Sequence, residues 1–183
     1  MLSPGPISGN AAARPGSLSA RRVLPLAIAI FAIAAATILG ALAFEHIGGY
    51  LPCALCLEQR TPYYVGIPLA ALAIAAIWIK APRAAVTALF ALVAALMLYN
   101  TGLAAYHSGV EWGFWPGPAS CAPSIKIESA ADMLNQLENA HAPSCTEAAL
   151  RILGLSLAGW NVLISALLAA LAIVAARKAW RAA

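Results

Sequence analysis

Charged residues are scarce in this chain. They make up 10% of its 183 residues, where a soluble globular domain carries about a quarter. That shortage, together with 62% hydrophobic residues and a mean hydropathy of +0.82, excludes a soluble enzyme and identifies an integral membrane protein. The long apolar runs are rich in Ala and Leu and lack the in-out alternation of barrel strands, which excludes a transmembrane β-barrel. No charge falls at the centre of a run, so no proton or ion pathway supports a channel. No internal repeat stands out, and one compact domain is expected.

Four runs are long enough to cross a hydrocarbon core of roughly 30 Å, which takes about 20 helical residues. They cover residues 23–44, 63–79, 84–106 and 155–176. The second is the shortest, and Pro62, Gly66 and Pro68 weaken it as an isolated helix. The fold class is therefore all-α: an integral membrane four-helix bundle with outer loops at 45–62 and 107–154, the longer one carrying short amphipathic helices. Residues 1–20, rich in Pro, Gly, Ser and Ala, have too little apolar material to pack and read as a disordered tail. That leaves 21–183 as the membrane domain. Arg21, Arg22, the first run and Ala41-Leu42-Ala43 also resemble a cleavable signal peptide. The run is longer than a usual signal core, however, and its removal would leave three spans with termini on opposite sides.

Flanking charges set the orientation. Arg14, Arg21 and Arg22 precede the first run, Lys80 and Arg83 join the second to the third, and Arg177, Lys178 and Arg181 follow the fourth. By the positive-inside rule both termini are cytoplasmic and all four cysteines face outward. The acids, from Glu45 to Glu147, sort to the same outer side. The net charge of +4 is thus a topology signal, and no nucleic-acid partner is expected.

With only four cysteines, three pairings are open. Cys53 and Cys56 have the Cys-x-x-Cys spacing, whereas Cys121 and Cys145 lie far apart in the longer outer loop. A zinc ribbon needs two such close pairs, and a c-type haem needs histidine where Leu57 stands, so no metal ligand is assigned. If Pro52 opens the helix, Cys53, Cys56 and Arg60 share one face, and a helix start beside a permanent cation stabilises a thiolate. Ser144 followed by Glu147 resembles a capping box, which would place Cys145 in the first turn of a helix and favour its thiolate. The plainer reading is that Cys121 and Cys145 staple the loop, a ring worth roughly 3 kcal/mol or somewhat more. Ser129 with Asp132, then Met133, Leu134 and Leu137, marks a short amphipathic helix. Trp112, Phe114 and Trp115 suit a stretch resting at lipid headgroups. Gly109, Gly113 and Gly117 are expected to make that loop mobile.

The assembled pattern resembles the disulfide bond formation protein B (DsbB) family of bacterial inner-membrane thiol oxidases. It comprises four spans, a Cys-x-x-Cys in the first outer loop, a second pair in the other, arginine four after the second cysteine, and the stretch from Tyr106 to Pro118. Gln59 departs from members that carry glutamate there. The resemblance implies that Cys121 and Cys145, as a disulfide, accept electrons from a soluble periplasmic thioredoxin-fold (DsbA-like) oxidase. Cys53 and Cys56 then reoxidise them, and ubiquinone or menaquinone is the final acceptor. By motif, Cys121 forms the mixed disulfide, Cys145 passes electrons to Cys53, and Cys56 faces the quinone beside Arg60, with His107 as a further group near the cofactor. Two other functions remain in view. A vitamin K epoxide reductase-like enzyme would carry its Cys-x-x-Cys after the loop pair, the reverse of the order here. A non-catalytic membrane scaffold would use its cysteines only as staples.

Overall fold

The computed structural model describes residues 16–121 and 144–181. Helix α1 runs over Gly16–His46, α2 over Ala54–Trp78, α3 over Arg83–Glu111 and α4 over Leu157–Arg181. All four contain a segment long and apolar enough to cross a membrane, as the four apolar runs require. Helix α3 packs most extensively on α4, and the contacts of α2 with α3, α1 with α2 and α1 with α4 close the bundle into a ring.

Small residues let these helices approach. Ala27, Ala70, Ala73, Ala172 and Ala175 are fully buried at the helix contacts, the pattern expected where lipid removes the usual hydrophobic drive and close backbone packing must hold helices together. Tyr63, Phe90, Met97 and Leu168 fill the space between them. Leu39, Leu72, Leu92 and Leu98 point outward and are exposed, as helices apolar on every face do when their surroundings are lipid.

Two boundaries differ from the sequence expectation in ways that matter to the site. Helix α2 begins at Ala54, not near Tyr63. Pro52 is not its first helical residue either, because Cys53 takes the cap position with extended backbone (φ −76°, ψ 172°) and its sulfur accepts the Cys56 N–H at 3.3 Å. Nine residues that hydropathy places in a loop, 54–62, are therefore helical, and two of their polar members, Gln59 and Arg60, find partners on other helices.

The second difference lies ahead of α4. Residues 144–150 form bends, not the helix that Ser144 and Glu147 suggest. The Ser144 hydroxyl accepts the Thr146 N–H at 3.1 Å, a local turn that competes with helix initiation. The chain then makes a two-residue hairpin, β1 (Arg151–Ile152) against β2 (Leu155–Ser156). Leu153 and Gly154 both have positive φ (52° and 84°), the tight turn whose twist matches paired strands. Ser156 caps α4 by accepting the Gly159 N–H at 3.1 Å, so the fourth helix starts two positions later than its apolar run. The amphipathic helix expected around Met133–Leu137 and residues 1–15 of the tail expected over 1–20 lie outside the described residues, whereas 16–20 belong not to a disordered tail but to the first turns of α1.

Candidate active site

All four cysteines gather at one end of the bundle. Cys121 closes a 3-10 turn at Ala119–Cys121 and is disulfide-bonded to Cys145, with Cα atoms 5.5 Å apart. Cys53 and Cys56 are thiols whose sulfurs are 2.9 Å apart. The Cys53 sulfur, the Cys145 sulfur and a ring nitrogen of His107 all lie within 4.8 Å of one another. Cys145 is fully buried and Cys121 partly exposed, so Cys121 is the more accessible half of the loop disulfide and Cys145 the half that lies beside Cys53. Since Cys145 is held in the disulfide, a metal would find only two of those three donors free in this redox state. Cys145, without the expected helix terminus, gains its setting from burial against Cys53 and Val110.

Cys53 is the activated thiol. The hydrogen bond from Cys56 lowers its pKa most, against the cost of burial, and His107 and the Cys56 N–H lower it further, to about 4. A folded-state pKa below the ordinary thiol value means the thiolate dominates above that value and is lost as pH falls through it. In the dithiol form, the ultraviolet absorption of one thiolate is therefore expected to stay constant from about pH 8 down to about pH 6. An ordinary thiol would lose nearly all of its thiolate over that interval, and such a loss at Cys53 would contradict the assignment.

Buried polar side chains from three helices converge behind Cys53. Gln59 on α2 donates from Nε2 to the Leu55 carbonyl at 3.1 Å and to His107 Nδ1 at 2.7 Å. Its Oε1 accepts from Asn161 Nδ2 on α4 at 2.7 Å, and Asn161 Oδ1 accepts the Tyr63 hydroxyl at 2.7 Å. His107 Nε2 lies 3.6 Å from Cys53 Sγ and 3.8 Å from Glu111 Oε1. These contacts are the reason that residues 54–62 and 107–111 can be helical despite their polarity.

Cys56 faces a different space. It lines a cavity of about 340 Å³ together with Arg60, Gln59 and Tyr63, walled by apolar groups such as Phe44 and Leu51. Arg60 pairs with Glu45 at the end of α1, which fixes the guanidinium at the cavity wall. His107, expected near the cofactor, faces Cys53 and is not among the residues lining this cavity.

The start of the outer loop is held more tightly than Gly109 suggests. Trp115 stacks on Tyr106 with planes 4° apart and donates to the Tyr106 carbonyl at 2.9 Å. Its indole lies directly over Gly109, where a Cβ would collide with the ring. Gly109 therefore serves close packing and not mobility. Trp112 and Phe114 are exposed, available to lipid headgroups.

Sequence reasoning missed Glu45, Gln59, Glu111 and Asn161 as members of the site. Two carried a signal: Glu111 stands four residues after His107 on one helix face, and Asn161 is a lone amide within an apolar run, where polar groups bind other helices.

A model of the family Disulfide bond formation protein DsbB matches residues 21–175. The chain is also 31% identical over 126 residues to the uncharacterized protein RP370 of Rickettsia prowazekii (strain Madrid E), a match covering 66% of this chain and 69% of that protein. No solved structure matches the chain.

Proposed function

The chain belongs to the disulfide bond formation protein DsbB family of membrane disulfide-forming oxidoreductases, and on that premise we propose a specific electron path. It reoxidises a periplasmic thioredoxin-fold (DsbA-like) dithiol at Cys121 and Cys145 and delivers the electrons, through Cys53 and Cys56, to a membrane quinone. The flanking arginines and lysines support cytoplasmic termini and periplasmic cysteines. The observation that carries this reading is the approach of the Cys145 and Cys53 sulfurs to within 4.8 Å, while the adjacent Cys56 lines the cavity.

A partner thiolate attacks Cys121, the more exposed sulfur, forming a mixed disulfide and releasing Cys145 as thiolate. The partner's second thiolate attacks its own sulfur in that bond, leaving as the oxidised partner and freeing Cys121. Cys145 then attacks Cys53 of an oxidised Cys53–Cys56 pair, expelling Cys56 as thiolate. Attack by Cys121 on Cys145 restores the loop disulfide and releases Cys53. Two electrons have by then moved from the partner to Cys53 and Cys56, the redox distribution in which the chain is described.

The cavity suits a quinone head. Its volume is within the range of about 300–1,000 Å³ typical of small-molecule sites, and its apolar wall with few polar groups matches such a ring. Cys56, Arg60 and Tyr63 would hold it, with ubiquinone and menaquinone both admissible. The quinone supplies an acceptor for two electrons and two protons. Arg60 offers a fixed positive charge to a carbonyl oxygen that gains electron density.

Arg60→Met is expected to raise the KM for a short-chain ubiquinone about tenfold, the loss of one charge-assisted hydrogen bond. The KM for the dithiol partner should not move, because Arg60 faces the cavity and not the loop disulfide. Steady-state quinone reduction with each substrate varied in turn checks this; equal changes in both constants would argue against the assignment. The scaffold alternative predicts no quinone reduction by any variant.

A further inference from the structure

We propose that Gln59 is a positioning residue that fixes the proton of His107 on Nε2, so that a neutral imidazole presents an N–H to the Cys53 sulfur. Every polar atom in the chain of contacts has its role set by its neighbour. The Leu55 carbonyl can only accept, so the Gln59 nitrogen must be the atom turned towards it. That nitrogen then spends its second hydrogen on His107 Nδ1, 2.7 Å away, while the Gln59 oxygen is occupied by Asn161.

His107 Nδ1 is thereby an acceptor, and the ring proton belongs on Nε2. There it faces the Cys53 sulfur at 3.6 Å as its acceptor, with Glu111 Oε1 nearby at 3.8 Å but beyond hydrogen-bond reach. A second proton on Nδ1 would set N–H against N–H. Rotating the Gln59 amide to relieve it would forfeit the bonds to Leu55 and Asn161, in a site where Gln59 and His107 are almost fully buried. Glutamine thus turns the Nε2–H of the ring, as a hydrogen-bond donor, towards the thiolate that Cys53 becomes when Cys121 expels it from Cys145 or a reductant opens its disulfide. The groups facing His107 are Cys53 and Gln59 from α2, Glu111 from α3 and Cys145 from the outer loop; Asn161 of α4 acts through Gln59.

The functional consequence rests on the proposed relay, but the tautomer does not, and nitrogen NMR reads it directly. The full chain, labelled with ¹⁵N at histidine and held as the dithiol in detergent, is compared with Gln59→Leu and Gln59→Glu, with His107→Gln to assign the signal. The wild type should show a pyridine-like Nδ1 and a pyrrole-like Nε2. Gln59→Leu should release the ring into mixed tautomers and raise the pH midpoint of the Cys53 thiolate by about one unit. Gln59→Glu, nearly the same shape but able only to accept, should draw a proton onto Nδ1, give a doubly protonated ring and lower that midpoint. A proton on Nδ1 in the wild type would overturn the proposal. So would both variants moving the midpoint in the same direction, which is what mere packing predicts. Failure of quinone reduction with the wild-type tautomer intact would instead count against the relay.

Discussion

Cys56→Ser loses dithiol-driven quinone reduction by on the order of a thousandfold or more. Of the two sulfurs on α2, Cys56 is the one that lines the cavity, and Cys53 is turned towards the loop disulfide. A serine oxygen cannot form the Cys53–Cys56 disulfide, so electrons arriving at Cys53 have no second sulfur from which to leave. The loss is expected without unfolding, because the Cys56 backbone N–H still donates to the Cys53 sulfur and the cap of α2 survives. Anaerobic loss of quinone absorbance measures the rate and circular dichroism the helix content. Activity within tenfold of the wild type, with the helices intact, would mean that Cys56 is not the terminal sulfur.

An all-or-none result is expected at the loop. A thioredoxin-fold oxidase that retains a single reactive cysteine should be captured covalently by the wild-type chain, since its thiolate opens the Cys121–Cys145 bond and nothing on the partner can resolve the product. Release of Cys145 beside Cys53 favours the forward direction. Cys121→Ala should abolish capture, while quinone reduction by dithiothreitol persists through direct attack on Cys53 and Cys56. A disulfide closing a ring of this size contributes roughly 3 kcal/mol or somewhat more, so Cys145→Ala should destabilise the fold as much as Cys121→Ala does. Non-reducing electrophoresis reads capture and thermal unfolding reads stability. Loops that serve only as staples would show the shared stability loss and no adduct in any variant.

The bundle itself was legible because lipid imposes a single condition on the chain, and uncharged runs of sufficient length satisfy it in only one way. Its boundaries were less so. Hydropathy stops at Tyr63 because Glu58, Gln59 and Arg60 are polar, yet helix α2 continues to Ala54 since Gln59 and Arg60 are satisfied by His107, Asn161 and Glu45. Those partners lie on other helices and leave no local trace. Ser144 and Glu147 mislead for the opposite reason: they are a local signal, and the Cys145 disulfide and the Leu153-Gly154 turn draw the segment into bends and a hairpin. The Cys-x-x-Cys spacing and Arg60 pointed to the site from sequence alone, whereas the choice of Cys53 as the activated sulfur required the cap geometry and His107 across the bundle.

The most direct test of the relay is its stoichiometry. The purified chain is mixed anaerobically with a reduced thioredoxin-fold dithiol and a short-chain ubiquinone, and thiols lost are counted against quinone consumed. The account predicts two thiols oxidised for each quinone reduced, with the new disulfide on the partner. No quinone consumption while the partner stays reduced would contradict it.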